Sequence, residues 1–386
     1  MTVDHERGLR DMSTTTTPTI AEPKSGSKRI YNFSAGPAIL PEAVLRQAQH
    51  DIWNVQDSGI GICEHSHRGQ VFNRVIAEAE ADCRAIADIS DDYAVLFLQG
   101  GASLQFAMAP MNFLKKDRTA DYLHTGEWTK KAIADAKLFG NVNLAFDGGQ
   151  SNFDHVPAAQ EINASDAPAY TFYCSNNTIY GTEYASTPSS AAPLICDASS
   201  DILSRPIEVS KHGLIFAGAQ KNLGPAGCTL VIIRKDFLNG ANTGLPQMLD
   251  YRKHVEKGSR LNTPPAFAIY MMGLVFKWIL DQGGLATLAD RNRKKAAIMY
   301  DAIESSGGFY KGVARADSRS LMNVTFRTPN DDLDKKFIEE ALASDMSGLK
   351  GHRSAGGLRA SIYNAFPKAG CEALAQFMKD FAQRNG

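Results

Sequence analysis

Apolar residues recur along this chain in two alternating rhythms. After a helix-entry signal at Pro41-Glu42, Val44, Leu45, Ala48 and Ile52 fall on one face at helical spacing. A second helix is predicted over 70–88, with Val71, Val75, Ile76, Ala79 and Ile86 on its apolar stripe. At 93–98 the rhythm changes to an unbroken apolar run, the pattern of a strand buried on both faces. Further strands are predicted at 120–124, 169–174, 192–197, 213–217 and 229–233. Helices are predicted at 104–112 and from Gly126 onward through Ile133, Ala136 and Leu138. Strand and helix in alternation predict an α/β fold, a mostly parallel sheet sandwiched by helices.

The pattern shifts after 235. Residues 236–261 are rich in glycine, asparagine and charge and read as a mobile connection. A helix over 267–282 stops at Gly283-Gly284, and another follows over 285–304. Strand 320–326, helix 331–343, strand 358–363 and helix 370–384 then form a smaller α+β C-terminal domain. The expected division is a large domain over 41–285 and a small one built from 29–40 with 286–386. Residues 1–28 are polar, with Pro18 and Pro23, no apolar signal core and acids at Asp4, Glu6 and Asp11. They read as a disordered extension.

Composition excludes several functions. Lys plus Arg number 41 against 42 for Asp plus Glu, so nothing electrostatic favours nucleic acid. The longest apolar stretch, 266–280, carries Lys277 and is too short to span a membrane. Six cysteines form no CxxC pair, which suits reduced thiols in a cytoplasmic protein, and no metal is expected.

Candidate chemistry clusters at strand ends. Lys221 sits in a loop of small residues, 218–227, between two predicted strands. An amine partly desolvated there can lose its proton near neutral pH and form a Schiff base, although a surface lysine in a glycine turn reads the same way. Asp197 ends the apolar run 192–197, at the rim where ligands of parallel sheets bind, or else it is a turn acid before Ala198-Ser199-Ser200. Gly100-Gly101-Ala102-Ser103 joins a strand to a helix start and suits a phosphate, or is simply a turn. Neither GxGxxG nor GxxxxGK[ST] is present, which disfavours a nucleotide-binding dehydrogenase.

The segments Asn32-Phe33-Ser34-Ala35-Gly36-Pro37, Ser66-His67-Arg68-Gly69, Asp197-Ala198-Ser199-Ser200-Asp201, Ala217-Gly218-Ala219-Gln220-Lys221-Asn222, Asn262-Thr263-Pro264-Pro265 and Gly351-His352-Arg353, with Arg359-Ala360-Ser361-Ile362-Tyr363-Asn364, stand in one order. In that order they resemble the phosphoserine aminotransferase branch of the class V pyridoxal-phosphate-dependent aminotransferases, from about Tyr31 to the C-terminus. The resemblance implies the fold-type I architecture, with a seven-stranded-type sheet, and a homodimer whose active sites are shared. It implies pyridoxal 5′-phosphate bound covalently to Lys221, with Asp197 on the pyridine nitrogen and Trp128 stacked on the ring. Ala102, Ser103, Thr178 and Gln220 would line the cofactor, and Asn262 and Thr263 would reach the phosphate of the partner subunit's cofactor. Taken alone, Trp128 reads as a core aromatic, Thr178 as a turn residue and Asn262-Thr263 as a helix entry.

Three cationic sites remain. The resemblance gives Arg359 to an α-carboxylate. It gives His67, Arg68, His352 and Arg353 to the distal phosphate of phosphoserine or the side-chain carboxylate of glutamate, some of them from the neighbouring subunit. Arginine suits such anions because its planar fork makes paired contacts. Some relatives carry arginine where this chain has Ser103, so one cation fewer stands on that side. The activity implied is transamination between L-glutamate and 3-phosphohydroxypyruvate, giving 2-oxoglutarate and O-phospho-L-serine in serine biosynthesis. The resemblance leaves open a second activity, the phosphohydroxythreonine step of pyridoxine biosynthesis. The competing readings are an alanine–glyoxylate type aminotransferase, a cysteine desulfurase and a non-catalytic binding protein on the same fold. Against a desulfurase, no cysteine lies in the polar loop 349–357.

Overall fold

In the computed structural model seven strands form the central sheet. In chain order they are β1 (Tyr93–Leu98), β2 (Thr119–His124), β3 (Asn141–Asp147), β4 (Thr171–Cys174), β5 (Leu194–Asp197), β6 (His212–Gly218) and β7 (Thr229–Arg234). They lie side by side in the order β1-β7-β6-β5-β4-β2-β3. Strand β7 is antiparallel to both neighbours, and the other pairs are parallel. Six strands therefore point the same way, and their C-terminal ends share one rim. The structure describes residues 29–386, and the extension expected over 1–28 lies outside them.

Alternation along the strands separates two cores. Val95, Phe97, Ile215, Ala217, Leu230 and Ile232 face a core shared with helices Glu42–Trp53, Gln70–Ala87 and Ala266–Asp281. Ala94, Leu96, Leu214, Phe216, Val231 and Ile233 face another, under helices Gly101–Phe113 and Glu127–Ala136. Burial on both faces explains why these strands read as continuous apolar runs. A third core collects Phe33, Met299, Phe326, Phe337, Met378 and Phe381. It packs helices Gly284–Glu304, Asp331–Ala343 and Lys368–Asn385 on the antiparallel sheet Lys311–Gly312, Asn323–Arg327 and Leu358–Ser361. The strand Tyr31–Asn32 joins this region by parallel pairing with Met346–Ser347.

Four local expectations need correction. Strand β3 was not evident from the sequence because it is an edge strand, with only Ala145 and Phe146 buried. Leu138 and Ile52 are 75% and 51% exposed rather than on apolar helix faces. The first lies beyond the helix end at Ala136, and the second sits one residue from the helix end at Trp53. The polar segment after β7 is also ordered, as helices Lys235–Asn239 and Tyr251–Glu256 with a single turn at Gln247–Leu249. One aromatic anchors it: Tyr251 is fully buried and its hydroxyl donates to Gln105 Oε1 at 2.6 Å. Asp250 caps the second helix by accepting the Arg252 N–H at 2.9 Å.

At the start of β6, His212 is fully buried. Its Nδ1 lies 2.9 Å from the Glu208 carbonyl and its Nε2 2.7 Å from the Tyr173 hydroxyl. A carbonyl only accepts, so Nδ1 carries a proton; in the neutral ring Nε2 then accepts from the Tyr173 hydroxyl. Burial lowers the His212 pKa from 6.5 to about 4. Across that window the unfolded chain binds a proton that the folded chain refuses. The stability contributed at neutral pH is therefore lost as pH falls from about 6.5 through 4. For His212→Gln, denaturant unfolding at pH 7 and pH 4.5 is expected to show an acid loss smaller than wild type by about 2–3 kcal/mol.

Candidate active site

The rim where β2, β4, β5 and β6 end gathers one group of side chains. Strand β6 ends at Gly218, and the chain turns back on itself with the Leu223 and Gly224 N–H groups bonding the Ala219 carbonyl at 3.2 and 2.8 Å. This turn projects Lys221. It is held from outside by Ala38 N–H to Gln220 O at 2.9 Å and by Asn364 N–H to Asn222 Oδ1 at 3.0 Å. Lys221 Nζ donates to Thr178 Oγ1 at 2.8 Å and lies 5.7 Å from the Trp128 ring centroid.

Thr178 and Trp128 come from loops that lock each other. Asn177 Oδ1 accepts the N–H groups of Ile179 and Tyr180 at 3.0 and 3.3 Å, which sets the turn carrying Thr178. Asn177 Nδ2 donates to the Thr125 carbonyl at 2.6 Å. Between Thr125 and the helix of Trp128 stands Gly126, with φ of +150°. Any Cβ there would overlap the Asn177 amide, so glycine is required.

Asp197 ends β5 and is 4% exposed. Its Oδ1 accepts from Ser199 N at 3.0 Å and from Ser199 Oγ at 2.6 Å. The turn contacts expected of Asp197 are therefore present, and its carboxylate also lies close enough to Lys221 for the two charges to act on each other. Behind it, Asp201 and Glu183 share Arg205, whose nitrogens lie 3.5 and 3.1 Å from their carboxylates. Burial raises the Glu183 pKa to about 7, with the nearby Asp201 charge adding to the effect.

Opposing forces set the two central charges. Desolvation lowers the Lys221 pKa, against the attraction of Asp197. Desolvation raises the Asp197 pKa, against the Lys221 charge and the Ser199 hydrogen bonds. In both groups burial outweighs the partner's charge. The result is an amine that gives up its proton more readily than an exposed lysine.

Arg359 stands above this group. Its Nη1 donates to the Thr178 carbonyl at 3.1 Å, and its Nε is buried with no hydrogen-bond partner. Trp128 Nε1 is likewise buried and unpaired. His352 lies close enough to Arg359 for that charge, after burial and together with Arg353, to depress its pKa. Arg353 is exposed.

The remaining expected residues fall in two places. The helix Gly101–Phe113 starts after Gly100, whose φ is +89°. The first N–H there with a carbonyl partner is that of Leu104, bonded to Gly100 O at 3.3 Å. The N–H groups of Ala102 and Ser103 precede it at a helix N-terminus, where an anion is favoured. Asn262 Nδ2 donates to Gln99 Oε1 at 3.0 Å, and Gln99 Nε2 donates to Thr263 O at 2.9 Å, so both residues sit beside this turn in their own chain. By contrast, among the described residues no hydrogen bond or ion pair joins His67 or Arg68 to Lys221, Thr178 or Arg359. Residues not anticipated from the sequence are Ser199, Asn177, Gly126 and Gln99. A serine two places after a strand-end aspartate is an Asx-turn signal that could have found the first.

A family model for aminotransferase class V matches residues 30–374. The chain belongs to the class V aminotransferases. The curated phosphoserine aminotransferase of Desulfotalea psychrophila is 53% identical over 357 residues, covering 92% of this chain and 99% of that protein. The solved phosphoserine aminotransferase of Bacillus circulans subsp. alkalophilus has a TM-score of 0.91 at 50% identity, covering 93% of this chain and all of that one. A pyridoxal-phosphate-bound phosphoserine aminotransferase from Trichomonas vaginalis has a TM-score of 0.87 at 41% identity, covering 91% of this chain and all of that one. The sheet and its helices are the fold-type I architecture of these class V enzymes.

The balance at Lys221 has a measurable sign. In cofactor-free protein, acylation of Lys221 by an amine-selective reagent, followed by peptide mass spectrometry across pH, is expected to reach half-maximal rate below the ordinary lysine range. Asp197→Asn removes the attraction that holds the proton on Lys221, so its midpoint is expected to fall further.

Proposed function

We propose that this class V aminotransferase is a phosphoserine aminotransferase. It carries out the reversible transamination of 3-phosphohydroxypyruvate with L-glutamate to O-phospho-L-serine and 2-oxoglutarate. The observation that carries this reading is the convergence of Lys221, Thr178 and Arg359 through hydrogen bonds of 2.8 and 3.1 Å, beside Trp128 and the buried Asp197.

These residues fit pyridoxal 5′-phosphate. A flat aromatic face lies 5.7 Å from an amine with a depressed pKa, and a buried carboxylate with its two hydrogen bonds on one oxygen acts electrostatically on that amine. The cofactor supplies an electron sink that stabilises negative charge on the substrate's Cα. Lys221 would hold the cofactor covalently and would move the substrate's Cα proton as base and then as acid. Asp197 would keep a proton on the ring nitrogen, and Trp128, Thr178 and Gln220 would help to hold the ring. The N–H groups of Ala102 and Ser103 would hold the phosphate; Asn262 and Thr263, which border this turn in their own chain, would by resemblance reach the phosphate of the partner subunit's cofactor in a homodimer.

Arg359 takes the substrate α-carboxylate, and its unpaired Nε supports that role. His352 and Arg353, with His67 and Arg68 of the neighbouring subunit, take the distal phosphate or carboxylate. This sharing would account for the lack, among the described residues, of a hydrogen bond or ion pair from His67 or Arg68 to Lys221 within one chain. In this reading Arg359 and the 349–357 loop belong to a small domain, 29–40 with 286–386, and Lys221 to a large one, 41–285. Among the described residues no helix is long and apolar enough to cross a membrane, and no group of histidines, cysteines and acids could hold a metal ion. The cytoplasm is the compartment this reading implies.

The test uses the two half-reactions. Glutamate is expected to abolish the visible band of the cofactor-loaded protein. After glutamate is removed, 3-phosphohydroxypyruvate is expected to restore the band and hydroxypyruvate to restore it far more slowly. Arg353→Ala is expected to slow the phosphorylated acid roughly ten- to hundredfold, the usual effect of losing one charged hydrogen bond, with little change for hydroxypyruvate. Equal recovery with both acids in wild type would discard the phosphate specificity.

A further inference from the structure

Asp197 has a buried companion that the reaction scheme leaves without a part. Ser199 is 6% exposed. Its N–H and hydroxyl both meet Asp197 Oδ1, at 3.0 and 2.6 Å. Its Oγ in turn accepts the N–H of Gly218 at 3.0 Å. Gly218 is the last residue of β6, three positions before Lys221. A hydroxyl has one hydrogen, and an oxygen that already receives a backbone N–H must turn that hydrogen elsewhere. Here it turns to the carboxylate.

We propose that Ser199 is a positioning residue, which keeps Asp197 ionised and leaves Oδ2 as the oxygen free to take the ring N–H of the bound cofactor. The proposal rests on the phosphoserine aminotransferase reading of Lys221 and Asp197. Among the described residues, the printed hydrogen bonds to the Asp197 side chain all come from Ser199 and all fall on Oδ1. Fixing one oxygen fixes the plane of the carboxylate and the direction of the other.

The same hydroxyl ties the carboxylate of β5 to the backbone of β6, so Asp197 and the lysine loop share one frame. The charged and titratable groups that act electrostatically with Asp197 are Lys221 after β6, Cys174 at the end of β4, Cys196 on β5 and Asp201 beyond it. Both thiols are pushed well up by burial and stay neutral. Asp201 disfavours the Asp197 charge but is itself engaged by Arg205 and Ser175. The charge on the Lys221 nitrogen comes and goes with its proton, whereas the hydrogen bonds from Ser199 do not. Ser199 is therefore the constant source of stabilisation for the anion.

Losing the hydroxyl would let Asp197 take up a proton more easily and so weaken the positive charge it holds on the ring nitrogen. The nitrogen of Lys221, once bonded to the cofactor, would then keep its proton to higher pH. The test compares cofactor-loaded wild type, Ser199→Ala and Ser199→Thr by pH titration of the visible band and by steady-state kinetics.

In Ser199→Ala the midpoint is expected to rise by about one pH unit. The kcat is expected to fall roughly ten- to hundredfold, and the KM for glutamate to stay within about threefold. Ser199→Thr, which keeps the hydroxyl, is expected to restore the wild-type midpoint. Three results would overturn the proposal: a Ser199→Ala midpoint and kcat like those of wild type, an equal shift in alanine and threonine variants, or failure of Ser199→Ala to fold, which would make the hydroxyl a requirement of the fold. A wild-type protein with no visible band would instead remove the assignment of Lys221, and the proposal with it.

Discussion

The site depends on holding an amine and a carboxylate together where water cannot screen them. Lys221 and Asp197 leave the ends of adjacent parallel strands, so the sheet itself fixes their separation. Burial alone would neutralise both. Each is kept functional by specific contacts: Thr178 Oγ1 accepts from the amine, and Ser199 donates twice to the carboxylate. Burying a charge is costly unless it is paired and hydrogen-bonded, and here the cost falls on the two groups whose proton affinities the chemistry needs shifted.

The loops around this pair are held by side-chain amides. Asn177 joins the turn of Thr178 to the entry of the Trp128 helix, and Asn222 joins the lysine turn to Asn364. Asn176 reaches Asn323 at 2.8 Å, and Asn323 reaches Tyr363, whose hydroxyl returns to the Ala35 carbonyl at 2.7 Å. Buried networks of this kind fix geometry when every member is satisfied. Two kinds of donor are left without a partner beside this network, the Nε of Arg359 and the N–H groups at the start of the helix Gly101–Phe113.

Much of the fold was legible because its strands are buried on both faces and its helices on one. Runs such as 93–98 and 229–233 can hardly be read otherwise. Strand β3 escaped because an edge strand buries few residues, and the segment after β7 escaped because one tyrosine orders an otherwise polar stretch. Within the site, Lys221 and Asp197 were readable from small residues and strand ends. Trp128, Thr178 and Arg359 took their roles only from resemblance, since a lone aromatic, threonine or arginine has no local signature. Ser199, Gly126 and Asn177 act through contacts between segments distant in sequence, and periodicity along one segment does not show such contacts.

The central claim is that Lys221 alone anchors the cofactor and is released by substrate. Borohydride reduction of the cofactor-loaded protein, followed by peptide mass spectrometry, tests it directly. The account predicts the cofactor's mass on the peptide containing Lys221 and its loss when glutamate is added before reduction. A label on another lysine, or a Lys221 label that survives glutamate, would contradict it.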